Sequence, residues 1–174
     1  MRWLVETERL RIRRLRYGDW KDLAIVFTDF EKSRYRNYDS KMPLDNAGVR
    51  LVTLVDLSVG GYYAVEDKNS GELLGYISAL GFRVKEIGFA FKREYQHHGY
   101  AFESVQAMMD YLRKVKKVHR FKAVAALKNQ PSVRLLERLG FSLGHSKQMY
   151  MRFDRLGKPI MFMAGVFEKE CRNE

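Results

Sequence analysis

The strongest constraint on the fold lies between residues 86 and 127, where two strand patterns flank one helical pattern. Residues 86–91 have the composition of a strand, and residues 101–115 repeat apolar side chains at helical spacing. Residues 121–127 form a short apolar run without polar alternation, which is typical of a strand covered on both faces. A strand, a helix and a second strand in this order predict a crossover connection within one sheet.

The segments around this crossover predict hairpins and further helices. The predicted strands lie at about residues 10–12, 62–66, 73–80, 86–91, 121–127, 148–153 and 159–167. The predicted helices lie at about 20–30, 44–57 and 101–115, and a fourth begins with Pro131 at N1 and ends before Gly140 at C′. Turn-forming clusters at residues 67–71 and 154–157 separate the strands of two hairpins, and Asp19 is placed to cap the first helix. This order predicts an α/β fold, a single three-layer domain whose helices cover both faces of a mixed, mostly antiparallel sheet of about seven strands.

Length and charge narrow the class of protein. The 174 residues suffice for one domain spanning residues 1–174, and the longest apolar stretch, residues 160–167, is far shorter than the roughly 20 residues that cross a membrane. Glu6 interrupts any early signal-peptide core, and the single cysteine, Cys171, cannot close an intramolecular disulfide. We therefore expect a cytoplasmic protein with no membrane partner. The net charge of +11 attracts polyanions, whether nucleic acid, an anionic membrane surface or phosphorylated small molecules, and does not say which.

A candidate anion site lies in the turn between the strand at 86–91 and the helix at 101–115. The turn reads Gln96-His97-His98-Gly99-Tyr100-Ala101, and a helix N-terminus directs unpaired N–H groups and the positive end of the helix dipole toward a ligand. Gly99 allows a close approach of the backbone, and the small Ala101 keeps the first helical turn open. The turn matches neither a Walker loop nor a dinucleotide-binding fingerprint, and alone it is equally compatible with a purely structural connection.

The same turn resembles the pyrophosphate loop of the GNAT acyl-CoA N-acyltransferase superfamily. Gln96, Gly99 and Ala101 fill the pattern Gln/Arg-x-x-Gly-x-Gly/Ala of that loop, and residues 86–91 resemble the central strand that precedes it. The opening residues 6–13 are similar to the start of the ribosomal-protein-alanine/serine N-acetyltransferase-like branch. The resemblance therefore begins near the N-terminus.

A downstream signature extends the resemblance over almost the entire chain. Asn129-Gln130-Pro131-Ser132, followed by Leu139-Gly140-Phe141, is similar to the family's Asn-x-x-Ser/Ala…Leu-Gly-Phe motif. The resemblance implies an N-acetyltransferase that uses acetyl-CoA as co-substrate, needs no metal, and lets a primary amine attack the thioester directly in a ternary complex. It further implies that the loop backbone holds the pyrophosphate, that the central strand pairs with pantetheine, and that an N–H near Phe91 polarises the thioester carbonyl. The implied cofactor-binding residues are Phe89, Ala90, Phe91, Gln96, His97, His98, Gly99, Tyr100, Ala101, Asn129 and Ser132.

Two residues are candidates for moving protons during the transfer, Glu86 and Ser132. A neutral amine attacks the thioester, so a base must take a proton from the acceptor, and an acid can protonate the departing thiolate. Glu86 is the candidate base, or else a solvent-facing strand carboxylate. Ser132 is the candidate relay to the thiolate, or else a helix cap. Other branches of the family place a tyrosine acid seven residues after the asparagine, but that position is Leu136 here, which leaves Tyr150 or another tyrosine to substitute.

The remaining reactive residue types predict no second chemistry. The four histidines and Cys171 show no metal-ligand spacing, so we predict no metal site. Cys171, close to the C-terminus, is interpreted as a bystander thiol. Glu103 in the first turn of the helix at 101–115 is interpreted as support for the loop rather than as a catalytic group.

The sequence does not identify the acceptor amine. A protein N-terminal amine would fit an association with the ribosome, whereas a polyamine, an aminoglycoside or an amino-acid derivative would be a small-molecule acceptor. The charge of +11 disfavours a polycationic acceptor unless the acceptor pocket is locally acidic. The alternative is a basic nucleic-acid-binding or ribosome-binding module on the same fold without turnover, supported by the net charge and by the aromatic and basic residues 34–38. This segment could face an acceptor or RNA, or be merely an exposed loop.

Overall fold

The computed structural model describes residues 3–39 and 45–171, and within these ranges the strands form one eight-stranded sheet flanked by four α-helices. The strands are β1 (Val5–Glu6), β2 (Leu10–Arg14), β3 (Tyr62–Asp67), β4 (Leu73–Leu80), β5 (Val84–Phe91), β6 (Arg120–Ala126), β7 (Ser142–Phe153) and β8 (Pro159–Glu170). The helices are α1 (Trp20–Glu31), α2 (Asn46–Val59), α3 (Tyr100–Lys116) and α4 (Gln130–Arg138). The order across the sheet is β1-β2-β3-β4-β5-β6-β8-β7, and all neighbours are antiparallel except β5 and β6.

The predicted α/β class and the predicted crossover are confirmed, because β5, α3 and β6 form the parallel connection. The sheet has eight strands rather than about seven, since the two-residue β1 is too short to leave a pattern in the sequence. β7 begins at Ser142, six residues before its predicted start. It is the edge strand of the sheet and most of its residues are exposed, so no alternation marks it. The predicted start of the second helix at Leu44 lies outside the described residues.

Two apolar clusters, one on each face of the sheet, give the three layers. Leu73 and Leu74 are neighbours in β4 whose side chains point to opposite faces, and each is buried in a different cluster. The cluster around Leu73 includes side chains of α1 and α2, and the cluster around Leu74 includes side chains of α3 and α4. No helix in the described part of the chain is long and apolar enough to span a membrane.

The predicted capping role of Asp19 is wrong. Asp19 does precede α1, but its carboxylate makes no capping bond. It instead accepts two hydrogen bonds from the Arg13 guanidinium, both at 2.8 Å, and one from the backbone N–H of Arg16. Arg13 is buried and also pairs with Glu66. A buried guanidinium needs charged partners, and this need takes the Asp19 carboxylate away from the helix.

The parallel strands β5 and β6 separate soon after they begin. Their register pairs Val84 with Arg120 and ends at Glu86 with Lys122, although β5 continues to Phe91 and β6 to Ala126. From residue 87 onward, one edge of β5 has no strand beside it among the described residues. A sheet that opens in its middle leaves backbone groups available between the two strands, and the candidate site lies at this opening.

Candidate active site

A cavity of about 310 Å³ occupies the gap between β5 and β6. Small residues line the two strands there, Gly88 and Ala90 on β5 and the alanines at 123, 125 and 126 on β6. Because these side chains are short, the separated strands leave open space instead of closing over a packed core. Of the predicted site residues, Glu86, Phe89, Ala90, Asn129 and Ser132 line this one cavity.

The loop between β5 and α3 presents a continuous row of free backbone donors. The N–H groups of residues 97–102 have no acceptor among the residues that the structure describes. Gly99 adopts φ +83° and forms the N-cap of α3, and His97 also has a positive φ, 65°. Left-handed turns of this kind at a helix N-terminus orient several N–H groups toward one point, which is a favourable place for an anion.

The side chain of Gln96 connects this loop to the end of β5. Its Nε2 donates to the backbone carbonyl of Phe91 at 3.0 Å, and the backbone carbonyl of Gln96 lies 2.7 Å from Nδ1 of His98. The N–H of Lys92 donates to Leu74 of β4, and successive residues of a strand direct their backbone groups to opposite edges. Phe91 and Phe89 therefore direct their N–H and C=O groups toward the gap, where the predicted pantetheine contact would form.

The segment before β2 braces the loop through Glu103 of α3. Glu103 accepts hydrogen bonds from the hydroxyl of Thr7 (2.6 Å) and from the Nε of Arg9 (2.7 Å). Arg9 also donates to the carbonyl of His98 at 3.1 Å and lies over the ring of Tyr100. Partial burial opposes ionisation of Glu103, but the hydrogen bonds from Thr7 and Arg9 outweigh it and lower the pKa of the carboxyl. The contacts agree with the interpretation of Glu103 as a supporting residue.

Glu86 lies at the last paired position of β5, beside the gap. Its carboxylate forms an ion pair with Lys122 of β6, with 2.9 Å between Oε2 and Nζ. Ile87 packs in the cluster with α3 and α4, so alternation places Glu86 on the opposite face of the sheet, toward α1 and α2. Its side chain is 46% exposed, which gives water access to the carboxylate.

Asn129 and Ser132 enter the cavity from the start of α4. Asn129 is the N-cap of this helix, and its side-chain oxygen accepts from the backbone N–H of Ser132 at 3.4 Å. The capping role that we considered for Ser132 therefore belongs to Asn129, and the Ser132 hydroxyl makes no such bond. Leu136 is buried and lines the same cavity, so an apolar side chain occupies the position where other branches carry a tyrosine.

Apart from Tyr38, which lies in the segment 34–38 considered above, sequence reasoning missed the wall of the cavity on the α1 and α2 side. This far wall consists of Tyr38, Asp39, Tyr62, Tyr76 and Phe162, which come from four separate segments of the chain. The rings of Tyr38 and Phe162 lie 4.9 Å apart, and those of Tyr62 and Tyr76 lie 6.3 Å apart. No local pattern joins these residues, since only the folded sheet brings them together. Tyr150 is half exposed and does not line the cavity, whereas its neighbours Met149 and Met151 do.

Tyr62 and Tyr76 of the far wall have raised pKa values, chiefly because they are buried. Burial, followed by the charge of Asp56 and a hydrogen bond to it, raises the pKa of Tyr62 to about 12, and Asp39 adds to this shift. Burial together with Asp39 and Asp56 also raises the pKa of Tyr76. Both phenols are protonated near neutral pH, as tyrosines of ordinary pKa also are, and can therefore donate hydrogen bonds.

The remaining candidates lie away from the cavity. Cys171 follows β8, is half-buried and does not line the gap. His97 and His98 are exposed in the loop. Within residues 3–39 and 45–171, no group of three or more His, Cys, Asp or Glu side chains is arranged to hold a metal ion.

Comparison with known proteins agrees with this geometry. A family model described as an acetyltransferase (GNAT) domain matches residues 9–142. The uncharacterized N-acetyltransferase YnaD of Bacillus subtilis (strain 168) is 29% identical over 147 residues, which cover 78% of this chain and 81% of YnaD.

Solved structures share the fold at lower identity. A GNAT-family acetyltransferase from Bacillus anthracis superimposes with a TM-score of 0.81 at 22% identity, covering 95% of this chain and 97% of that one. The ribosomal α-N-protein acetyltransferase RimL, solved in complex with coenzyme A, gives a TM-score of 0.80 at 14% identity, with 98% of both chains covered. Because the family model spans well over half of the sequence and the fold agrees, this chain belongs to the GNAT acetyltransferase family.

Proposed function

We propose that this protein transfers the acetyl group of acetyl-CoA to a primary amine, by direct attack of the amine on the thioester in a ternary complex. The observation that carries the proposal is the separation of β5 from β6 beside the loop of free N–H groups. One end of this arrangement suits a pyrophosphate, and the gap suits an extended arm that needs backbone partners. The likeness of the fold to RimL, which was solved with coenzyme A, supports the same cofactor.

The cofactor would use mainly backbone groups. The N–H groups of residues 97–102 would bind the pyrophosphate, where no Cβ at Gly99 obstructs a close approach. Phe89 and Phe91 would pair with the pantetheine arm along the open edge of β5, and the N–H of one of them would stabilise negative charge on the thioester oxygen. The Asn129 side-chain NH₂ group remains available to the arm, because only its oxygen caps α4.

The acceptor would enter from the face of α1 and α2, where Glu86 lies. Glu86 would take a proton from the ammonium form of the acceptor, directly or through water, so that the neutral amine attacks the thioester. Lys122 would hold the carboxylate in place through the ion pair. Ser132 lies on α4, across the sheet from Glu86, and would donate a hydrogen bond to the departing thiolate. A CoA thiol is far more acidic than an alcohol, so the thiolate leaves with little help, and the absence of a tyrosine at Leu136 is compatible with turnover.

The proposal is tested by binding first and turnover second. Calorimetric titration should show one site for acetyl-CoA per chain with micromolar affinity, on the order of common KM values. A panel containing a peptide with a free N-terminal amine, a monoamine and a diamine should then give release of CoA thiol with at least one acceptor. Salt-sensitive binding of RNA, without acetyl-CoA binding and without thiol release from any acceptor, would instead support the nucleic-acid-binding or ribosome-binding module.

A further inference from the structure

Lys92 is a buried cation that the transfer step, as proposed above, does not use. It follows Phe91 at the end of β5 and precedes the loop at residues 96–101, and its side chain is 3% exposed. Among the residues that the structure describes, it is the one lysine that is buried. A buried ammonium group loses its hydration, so it is stable only where charged partners surround it.

The partners of Lys92 come from two other parts of the fold. Its Nζ lies 2.9 Å from Oδ1 of Asp22 in α1 and 3.0 Å from Oε1 of Glu72, the residue before β4. Burial opposes the charge on Lys92, but the hydrogen bonds to Asp22 and Glu72 outweigh it and raise the pKa of the ammonium group. The charged side chain therefore joins the turn after β5 to α1 and to the start of β4.

Tyr95 fixes the other end of this turn to the same carboxylate. Its hydroxyl donates a hydrogen bond to Glu72, and this contact raises the pKa of Tyr95 to about 12. The backbone N–H of Tyr95 donates to the carbonyl of Lys92 at 3.0 Å. Between them, the N–H of Arg93 donates to Oδ2 of Asp29 in α1 at 2.8 Å. Both ends of the turn and its middle are thus bonded to carboxylates of neighbouring elements.

The turn separates the two proposed contacts of the cofactor. The backbone groups of Phe89 and Phe91 face the gap, and the free N–H groups of residues 97–102 lie in the loop. One CoA molecule must reach both, because its pantetheine arm links the thioester to the pyrophosphate. β5 itself is held by β4, with which it pairs as far as Phe91 and Gly75. The position of the loop relative to β5 therefore depends on the turn.

We propose that Lys92 is a positioning residue, which holds the pyrophosphate loop at the distance from the open edge of β5 that one CoA molecule requires. Lys92 does not line the cavity, and it acts through the turn that its ion pairs with Asp22 and Glu72 hold in place. A misplacement of about 1 Å can reduce the rate by roughly 10²-fold, so a loosely held loop would match the cofactor poorly. This inference rests on the proposed function.

The experiment compares Lys92→Met with a variant that removes another buried cation. Arg13 of β2 is buried and pairs with Asp19 and Glu66, so Arg13→Met also leaves two carboxylates without their cation but does not alter the turn after β5. Both variants should lower Tm. Calorimetric titration with CoA should show binding weakened by about tenfold or more in Lys92→Met, and near wild-type affinity in Arg13→Met.

A second comparison uses S-acetylpantetheine, which carries the thioester and the arm but no pyrophosphate. With one accepted amine at saturating concentration, Lys92→Met should lower kcat/KM for acetyl-CoA by about tenfold or more. It should lower kcat/KM for S-acetylpantetheine by less than about twofold, because β4 keeps β5 in place. A general loss of stability would lower both values by the same factor.

Asp22→Asn tests the same contact if Lys92→Met does not fold. Asp22 is 37% exposed, and the ammonium group keeps Glu72 as a partner, so this variant should remain folded. We expect it to weaken CoA binding about threefold. Wild-type affinity for CoA in folded Asp22→Asn would overturn the positioning role.

The remaining outcomes separate this inference from the proposed function. Equal CoA affinity in the Lys92 and Arg13 variants, or an equal loss for both thioesters, would overturn the positioning role and leave Lys92 as a structural ion pair. Failure of the wild type to bind CoA would contradict the proposed function, and the role of Lys92 with it. CoA binding that depends on Lys92, without transfer to any acceptor, would contradict the transfer and still support the positioning role.

Discussion

Glu86 and Ser132 line one cavity from opposite faces of the sheet, so their substitution should affect different halves of the transfer. Glu86→Gln should lower kcat by roughly 10²-fold, a common general-base contribution, and should spare acetyl-CoA affinity. Because free amine forms without help at high pH, this loss should shrink as pH rises. Ser132→Ala should cost about tenfold or less in kcat. Parallel pH–rate profiles with one confirmed acceptor measure both effects.

The control for these variants is Glu137→Gln, an exposed carboxylate on α4 that does not line the cavity. It should keep the wild-type profile. A Glu86→Gln enzyme with an unchanged profile would reduce Glu86 to a strand residue that pairs with Lys122, and water or the substrate would then carry the proton.

Gly99 allows a second prediction for a single residue. Its φ of +83° disfavours any side chain, and a Cβ would lie 3.4 Å from Nη2 of Arg9. Gly99→Val should weaken acetyl-CoA binding by about tenfold or more, because the loop N–H groups lose their common direction. Gly157→Val is the matched control, since Gly157 has a similar φ of +75° with open space around it and lies in the β7–β8 turn. Calorimetry showing equal affinity for the two folded variants would remove the loop from the cofactor site.

At the scale of elements, the start of α3 depends on the segment before β2. Glu103→Gln should remove the charged contact with Arg9 and loosen the loop carbonyl of His98 that Arg9 holds. We expect KM for acetyl-CoA to rise about fivefold, with kcat nearly unchanged. Glu6→Gln is the control, because Glu6 pairs with Arg11 and Lys68 away from the loop. Equal effects of the two substitutions on KM would show that Glu103 does not position the loop.

The contact between Glu103 and Arg9 should also make the stability of the fold depend on pH. The folded pKa of Glu103 is lowered from its ordinary value of 4.5, so its contribution is complete above that value and is lost as pH falls through the folded pKa. The difference in Tm between the wild type and Glu103→Gln should therefore be present at pH 7 and shrink in acid below about pH 4. A difference that is constant across this range would contradict the ionised contact.

Elements with a strong local signal could be predicted from the sequence, and those defined by distant contacts could not. The helix at 101–115 could be predicted because the buried side chains of α3 repeat at helical spacing. The loop before it could be predicted because the residues of its motif, 96–101, follow one another in the sequence. β7 lacks such a signal, since most of its residues are exposed. Asp19 occupies the sequence position of a helix cap, but its carboxylate binds the Arg13 guanidinium instead. The sequence does not show this partner, because it depends on the burial of Arg13 in the fold. The far wall was missed for the same reason, because Tyr38 and Phe162 meet only in the fold.

The whole molecule carries a strongly basic field, with a net charge of +11. If acetyl-CoA is the co-substrate, this field would attract its phosphates from a distance, because a net field acts beyond individual contacts. The pantetheine arm and the thioester carry no charge, so their binding would depend on short-range contacts in the gap. The two contributions are therefore separable by ionic strength.

This separation gives a prediction for the intact protein. Salt shortens the Debye length from roughly 30 Å at 0.01 M to about 3 Å at 1 M, so KM for acetyl-CoA should rise about tenfold between 20 and 500 mM NaCl as the attraction of its phosphates is screened. S-acetylpantetheine carries the same thioester and arm without phosphates, and its KM should change little over this range. Both thioesters are compared with one acceptor at saturating concentration, by release of thiol. If the two showed the same salt dependence, the basic field would play no part in cofactor capture, and the loop N–H groups alone would account for binding.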